Sequence, residues 1–148
     1  MEINIRLAEE ADFERLIELI GEFAEFEHHP EAMLNSVERM KREQEYFSCF
    51  VAETVNRKIV GYAAWFFAYY TWTGKALYID DLYVQEEFRG MGIGKMLMNQ
   101  VIEFAAGTGC HKIRWQVSDW NRKARDMYHS MGAEIDTTKY NCDLTVMI

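Results

Sequence analysis

The run Arg89-Gly90-Met91-Gly92-Ile93-Gly94-Lys95 has the make-up of an anion-binding loop. Glycines let backbone N–H groups close on an anion without interference from Cβ atoms, and a helix starting there adds the positive end of its dipole. A pyrophosphate suits such a cradle. Two familiar phosphate loops are excluded by the letters. A Walker A loop needs Gly at position 89 and Ser or Thr at position 96, where this chain has Arg89 and Met96. A dinucleotide fingerprint needs G-x-G-x-x-G, and the spacing here is G-x-G-x-G. The plainer alternative is a glycine turn that lets a helix pack closely; Arg89, Lys95 and a strand-to-helix context favour the anion.

Other reactive side chains point to less. Cys49, Cys110 and Cys142 are widely spaced and odd in number, which suits neither a zinc site nor a disulfide framework; they read as reduced core thiols, and no metal is expected. Cys110 follows Gly109 directly and lacks a recognisable His and acid partner set for nucleophilic catalysis. His111 and His129 read as structural, and His28 and His29 have no assignable role. A formal net charge of -8 over 148 residues argues against nucleic acid, whose phosphates require basic patches; it suits a cationic partner or serves solubility. No run approaches ~18 consecutive apolar residues, and the N-terminus is acidic where a signal peptide starts basic. A cytoplasmic protein without membrane contact is expected.

The elements that must hold the loop follow from periodicity. Ile3, Ile5 and Leu7 alternate with polar residues and predict a half-buried strand. Phe13, Leu16, Ile17, Ile20, Phe23 and Ala24 form the apolar stripe of a helix. After Pro30, the Asn35 to Glu38 spacing suits a capping box for a second, polar helix. Strands over 47–53 and 59–67, with Asn56 suited to the turn between them, predict a hairpin, and a third β-rich run covers 76–84. Ile93, Leu97, Val101 and Phe104 recur at helical spacing, with Gly107 and Gly109 at the end. A strand over 112–117, a short helix capped by Asn121 and closed by Gly132, and one or two strands over 134–148 complete the chain. The length suits a single domain over 1–148. Its fold class is α+β, a mixed α/β arrangement with a sheet packed on both faces.

Arg89-x-x-Gly92-x-Gly94 resembles the R/Q-x-x-G-x-G/A acetyl-CoA motif of the GNAT superfamily of N-acetyltransferases. Leu77-Tyr78-Ile79-Asp80-Asp81-Leu82-Tyr83-Val84, Phe88 before Arg89-Gly90, Trp120-Asn121, Met127-Tyr128 and Met131-Gly132-Ala133 narrow the resemblance to its diamine (spermidine/spermine) and thialysine branch. The likeness runs from Ile5 through Ala133. It implies a central twisted mixed sheet of about six to seven strands flanked by about four helices, acetyl-CoA as cofactor, a small-molecule amine as acceptor, and a homodimer.

The resemblance also implies roles. An alkyl ammonium with a pKa near ~10.4 must lose a proton before it attacks a thioester. Asp80 matches the family's base, usually Glu; because Asp is one methylene shorter, an extra water spans the gap or the base is Asp81 or Glu27. For Asp81 a solvated turn carboxylate is an equally good reading. Tyr128 matches the acid that protonates the departing thiolate, against an ordinary buried helix tyrosine. The backbone of Leu82, Tyr83 and Val84 is implied to pair with the pantetheine arm, and Gly90, Met91, Gly92, Ile93, Gly94 and Lys95, with Arg89, to hold the diphosphate. Asn121 and Ala124 match positions near the pantetheine and adenine, although Asn121 also suits a plain helix cap. Phe26, Glu27 and Trp72 match residues of the amine cleft, with Asp80 and Asp81 beside them; Glu27 reads equally well as one more surface charge. Alternatives are a GNAT enzyme for a protein, peptide or antibiotic amine, and a non-catalytic acyl-CoA-binding module.

Overall fold

The computed structural model describes residues 2–147. The chain forms two compact units, one up to Gln116 and one from Val117 onward.

In the first unit, β1 (Ile3–Leu7), β2 (Ser48–Thr54), β3 (Ile59–Tyr70), β4 (Gly74–Val84) and β5 (Ile113–Trp115) lie side by side in sequence order. The first four pair antiparallel, and β5 joins β4 in parallel. Between them run α1 (Phe13–Phe26), α2 (Val37–Arg42) and α3 (Ile93–Gly107). α3 is the crossover that a parallel β4–β5 pair requires. The stripe of α1 buries Phe13, Leu16 and Leu19 against Cys49, Val51, Tyr62 and Tyr83 on one face of the sheet. On the other face Phe104 of α3 meets Phe50 edge-on at 5.8 Å and Trp65 at 4.7 Å between ring centroids. A sheet covered on both faces by amphipathic helices is what the periodicities predict.

Arg6 on β1 fastens the entry to α1. Its guanidinium donates to both oxygens of Asp12 at 2.8 and 3.0 Å and to both of Glu53 on β2 at 3.3 and 3.0 Å. These bonds hold both carboxyl groups below their ordinary pKa.

β4 carries the feature that shapes the site. Ala64 of β3 faces Asp81, but Trp65 faces Ile79, so Asp80 is an extra residue inserted in β4. The backbone confirms the slip. The Leu77 amide donates to the Lys112 carbonyl on the β5 side, whereas the Gln85 amide donates to Val60 on the β3 side. In an unbroken strand two odd-numbered residues would point the same way.

The second unit holds α4 (Arg122–Ser130). Asn121 caps it by accepting from the Ala124 amide at 3.2 Å, and Gly132 ends it in a left-handed conformation at φ 92°.

The mixed α/β class and four α-helices agree with expectation; the strand number is smaller, five among the described residues. Residues 134–147 form no strand, because a strand exists only where it finds a ladder partner, and the expectation at position 148 lies outside the described residues. Ser36, rather than Asn35, caps α2: its hydroxyl accepts from the Arg39 amide at 3.1 Å, while the Asn35 side chain accepts from the Ser36 amide at 2.8 Å. The left-handed residue of the β2–β3 turn is Arg57, at φ 62°, not Asn56. Of the cysteines only Cys49 is a buried thiol; Cys110 is half-buried and Cys142 exposed.

Candidate active site

The glycine loop lies between β4 and α3. Gly90 and Gly92 adopt left-handed φ of 80° and 81°, which side chains disfavour. A Cβ at either position would meet nothing within 4 Å, so close packing is not what these two glycines serve. Backbone shape is, with open space above it. Gly92 begins α3 and brings no side-chain cap; the first helical bond runs from the Met96 amide to the Gly92 carbonyl at 3.0 Å. The amides of Ile93, Gly94 and Lys95 thus occupy the positions whose N–H groups have no acceptor within the helix. Met91 is exposed on the loop and Lys95 on the first turn of α3. Left-handed glycines, helix-end amides and Lys95 together fit a diphosphate.

Arg89 is turned to a structural task. Its Nε donates to the Val84 carbonyl at 2.8 Å, and its guanidinium lies over the rings of Phe26 at 4.7 Å and Tyr83 at 5.4 Å. It ties the loop to the end of β4. Tyr83 is buried on the α1 face, where its hydroxyl donates to Glu22 at 3.1 Å, and the Gln85 amide group donates to the same carboxylate. Glu22 and Gln85 carried no motif in the sequence; only the strand register brings them together.

The inserted Asp80 also decides which amides face outward. β5 pairs with β4 only as far as Ile79 opposite Trp115, so among the described residues no strand pairs with the outer edge of β4 from Asp80 onward. Because Gln85 faces β3, alternation turns Leu82 and Val84 to that edge. These are two of the backbone positions singled out in the sequence.

On the α1 face a cavity of about 360 Å³ opens between α1, the 32–35 loop, α2 and the sheet. Leu16, Ile20, Met33, Met40 and Phe47 form its walls, Tyr62, Ala64 and Phe66 its floor, and Asp80 and Asp81 its polar end. Neighbouring residues of a regular strand point to opposite faces; the bulge lets both carboxylates line one cavity. Burial raises the Asp81 pKa to about 6, helped by the charges of Asp80 and Glu27 and opposed by the hydrogen bond from the Tyr62 hydroxyl at 2.9 Å. Asp80 keeps part of its surface in solvent, yet loss of hydration raises its pKa as well. A carboxyl group near 6 is well matched to accepting a proton at neutral pH. Tyr62, which sequence reasoning missed, is buried and held as a neutral donor by the same burial and by Asp81. Its signal was a β3 position directly across from the cavity, legible only once the bulged register is known.

Phe26, Glu27 and Trp72 are not among the residues lining the cavity. Phe26 packs on Phe23 at 6.5 Å and Tyr83 at 6.5 Å, under Arg89, and does not line the cavity. Glu27 follows the last turn of α1 and acts on Asp81 through its charge. Trp72 is 97% exposed at the tip of the β3–β4 turn. In the second unit Tyr128 is buried on α4, and the Ala124 amide is taken by Asn121. Among the described residues no group of three or more His, Cys, Asp or Glu could hold a metal ion, and no helix is long and apolar enough to cross a membrane.

The profile of the acetyltransferase (GNAT) family matches residues 13–133. A thialysine N-epsilon-acetyltransferase of Bos taurus is 36% identical over 143 residues, covering 89% of this chain and 84% of that protein. The human spermidine/spermine N(1)-acetyltransferase-like protein 1 is 32% identical over 140 residues, covering 88% of this chain and 20% of that protein. Among solved structures, an aminoglycoside acetyltransferase from an uncultured soil metagenomic sample, crystallised with trehalose, superposes with a TM-score of 0.81 at 25% identity, covering 97% of each chain.

Proposed function

The chain belongs to the GNAT acetyltransferase family, and on that footing we propose that it acetylates the primary amine of a small acceptor, a di- or polyamine or a thialysine-like side amine, at the Asp80–Asp81 cavity. The observation that carries this reading is an apolar cavity ending in two carboxylates, on the strand that runs directly into the glycine loop. Carboxylates draw an ammonium in, and apolar walls receive its alkyl stem.

Acetyl-CoA, when bound, supplies the acetyl group as an activated thioester. The amides of residues 90–95 hold its diphosphate, with Lys95 adding charge. Arg89 fixes the loop to the Val84 carbonyl and so sets where the diphosphate rests relative to β4. The outward amides of Leu82 and Val84 offer an added-strand edge to the pantetheine arm.

Only a neutral amine attacks, so the incoming ammonium must give up a proton. The Asp80–Asp81 pair accepts it. Asp81 has the better-matched pKa and Asp80 the better solvent access, and Tyr62 keeps the Asp81 carboxylate oriented by donating to it. From the family resemblance we assign Tyr128 as the group that returns a proton to the departing thiolate, and Asn121 and Ala124 to the coenzyme. Phe26, Glu27 and Trp72 are assigned to the amine side on the same ground. The same reading takes the chain as one catalytic domain that works as a cytoplasmic homodimer.

Release of free CoA thiol is the test, run against spermidine, putrescine, thialysine, lysine, a peptide amine, an aminoglycoside and an amine-free control. Turnover that depends on one of the small amines is expected. Turnover confined to peptide or aminoglycoside would replace the acceptor class, and acetyl-CoA binding without turnover on any amine would reduce the protein to a coenzyme-binding module.

A further inference from the structure

Glu22 lies about one helical turn before Phe26 on α1, and its carboxylate is directed at the end of β4. It accepts from the Tyr83 hydroxyl at 3.1 Å and from the Gln85 side-chain amide at 3.2 and 3.0 Å. Gln85 is only 8% exposed, and its Oε1 has no partner among the described residues, so Glu22 anchors that side chain. Phe23, the next residue of α1, packs on the Tyr83 ring at 5.3 Å between centroids. The Arg89 guanidinium stands over the same ring while its Nε donates to the Val84 carbonyl. A continuous path of contacts thus runs from Glu22 to the glycine loop.

Packing alone would not call for a carboxylate here. A half-buried Glu22 satisfied by neutral donors gives up part of its hydration, and an apolar side chain would cover Tyr83 without that loss. What the carboxylate adds is direction, because hydrogen bonds fix how Tyr83 and Gln85 are rotated about the strand. Tyr83 stands between Leu82 and Val84, whose amides face the outer edge, and Gln85 opens the segment that leads into the loop. Resting on the acetyl-CoA reading above, we infer that Glu22 is a positioning residue for the coenzyme seat: through Tyr83 and Gln85 it sets the end of β4, and through the Tyr83 ring it sets Arg89, so that the outward amides and the glycine loop keep one spacing.

Affinity for acetyl-CoA tests this, measured by calorimetry on the full chain and as KM at saturating amine. Glu22→Ala is expected to weaken acetyl-CoA ~5-fold or more, with kcat and the amine KM each within ~3-fold of the parent. Asp12→Ala breaks the Arg6 clasp at the entry to α1 and is the control for lost stability alone. It is expected to lower the melting temperature and leave coenzyme affinity within ~2-fold. A smaller loss than ~5-fold in Glu22→Ala, an equal loss in Asp12→Ala, or a parallel rise in the amine KM would overturn the inference. Tyr83→Phe removes one hydroxyl and keeps the ring beneath Arg89, so it decides the matter if Glu22→Ala does not fold: a loss of ~2-fold or more upholds the inference, and a smaller one ends it. Where both variants fold, Tyr83→Phe is expected to cost less in the Glu22→Ala background than in the parent, and an equal cost counts against a route through Tyr83. A parent that binds acetyl-CoA but turns over no amine loses the acetyl-transfer reading and leaves the calorimetric comparison to decide Glu22; a parent that binds no coenzyme ends both.

Discussion

Asp81 is the residue whose behaviour is most sharply fixed by its surroundings. Its carboxyl is raised from an ordinary value of 3.8 to about 6, so the folded protein binds its proton more tightly than the unfolded chain does. The stabilisation from that proton is full below pH ~4 and is lost as the pH rises to ~6, a change of order 3 kcal/mol. Asp81→Asn keeps an acceptor for the Tyr62 hydroxyl and removes the titration. Urea melts at pH 4.5 and pH 8 are expected to show the variant gaining stability over the parent at the higher pH. The same substitution separates the two candidate bases. If Asp81 takes the proton, the acid limb near pH 6 in kcat/KM disappears in Asp81→Asn and activity falls ~100-fold or more; Asp80→Asn keeps an acid limb but moves it to lower pH, because the charge of Asp80 helps raise Asp81. The sequence named both aspartates but had no means of ranking them, because burial, the Tyr62 contact and the charge of Glu27 all come from residues distant in the chain.

At the scale of elements, most of the architecture was legible. α1, α3 and the hairpin of β2 and β3 follow from apolar spacing that local rules read directly. The bulge at Asp80 was not, since an extra residue in one strand is defined only by its partner strand. Nor were the strands expected after position 133, whose alternating residues find no ladder among the described residues. The loop glycines are testable at this scale. Gly92→Ala forces a side chain into φ 81°, costing about 1 kcal/mol of stability, and is expected to raise the KM for acetyl-CoA ~10-fold or more while the amine KM moves little. Gly61 answers to a different constraint: a Cβ there would lie 3.0 Å from the Tyr83 carbonyl and 3.3 Å from Val84. Gly61→Ala is expected to displace the end of β4, lowering both melting temperature and affinity for acetyl-CoA, as melts with and without the coenzyme would show.

For the molecule as a whole, the formal charge of -8 biases encounter with cationic acceptors. Raising the salt from 0.05 to 0.5 M shortens the Debye length from about 14 to 4 Å and is expected to raise the amine KM several-fold, measured at saturating acetyl-CoA. In the second unit Tyr140, Leu144, Val146 and Met147 are all more than 80% exposed, an apolar surface that suits coverage by a second copy. Light scattering is expected to report a dimer for the full chain and a monomer for a chain ending at Thr138. The order of the sheet carries a last consequence. Strands one to four are laid down as each neighbour emerges, and the acceptor cavity draws only on residues 16–81. Two pairings wait for intervening helices: β1 with β2 across α1 and α2, and β4 with β5 across α3. During synthesis on the ribosome, the half that receives the amine can therefore take shape first, and the β4–β5 crossover closes after it.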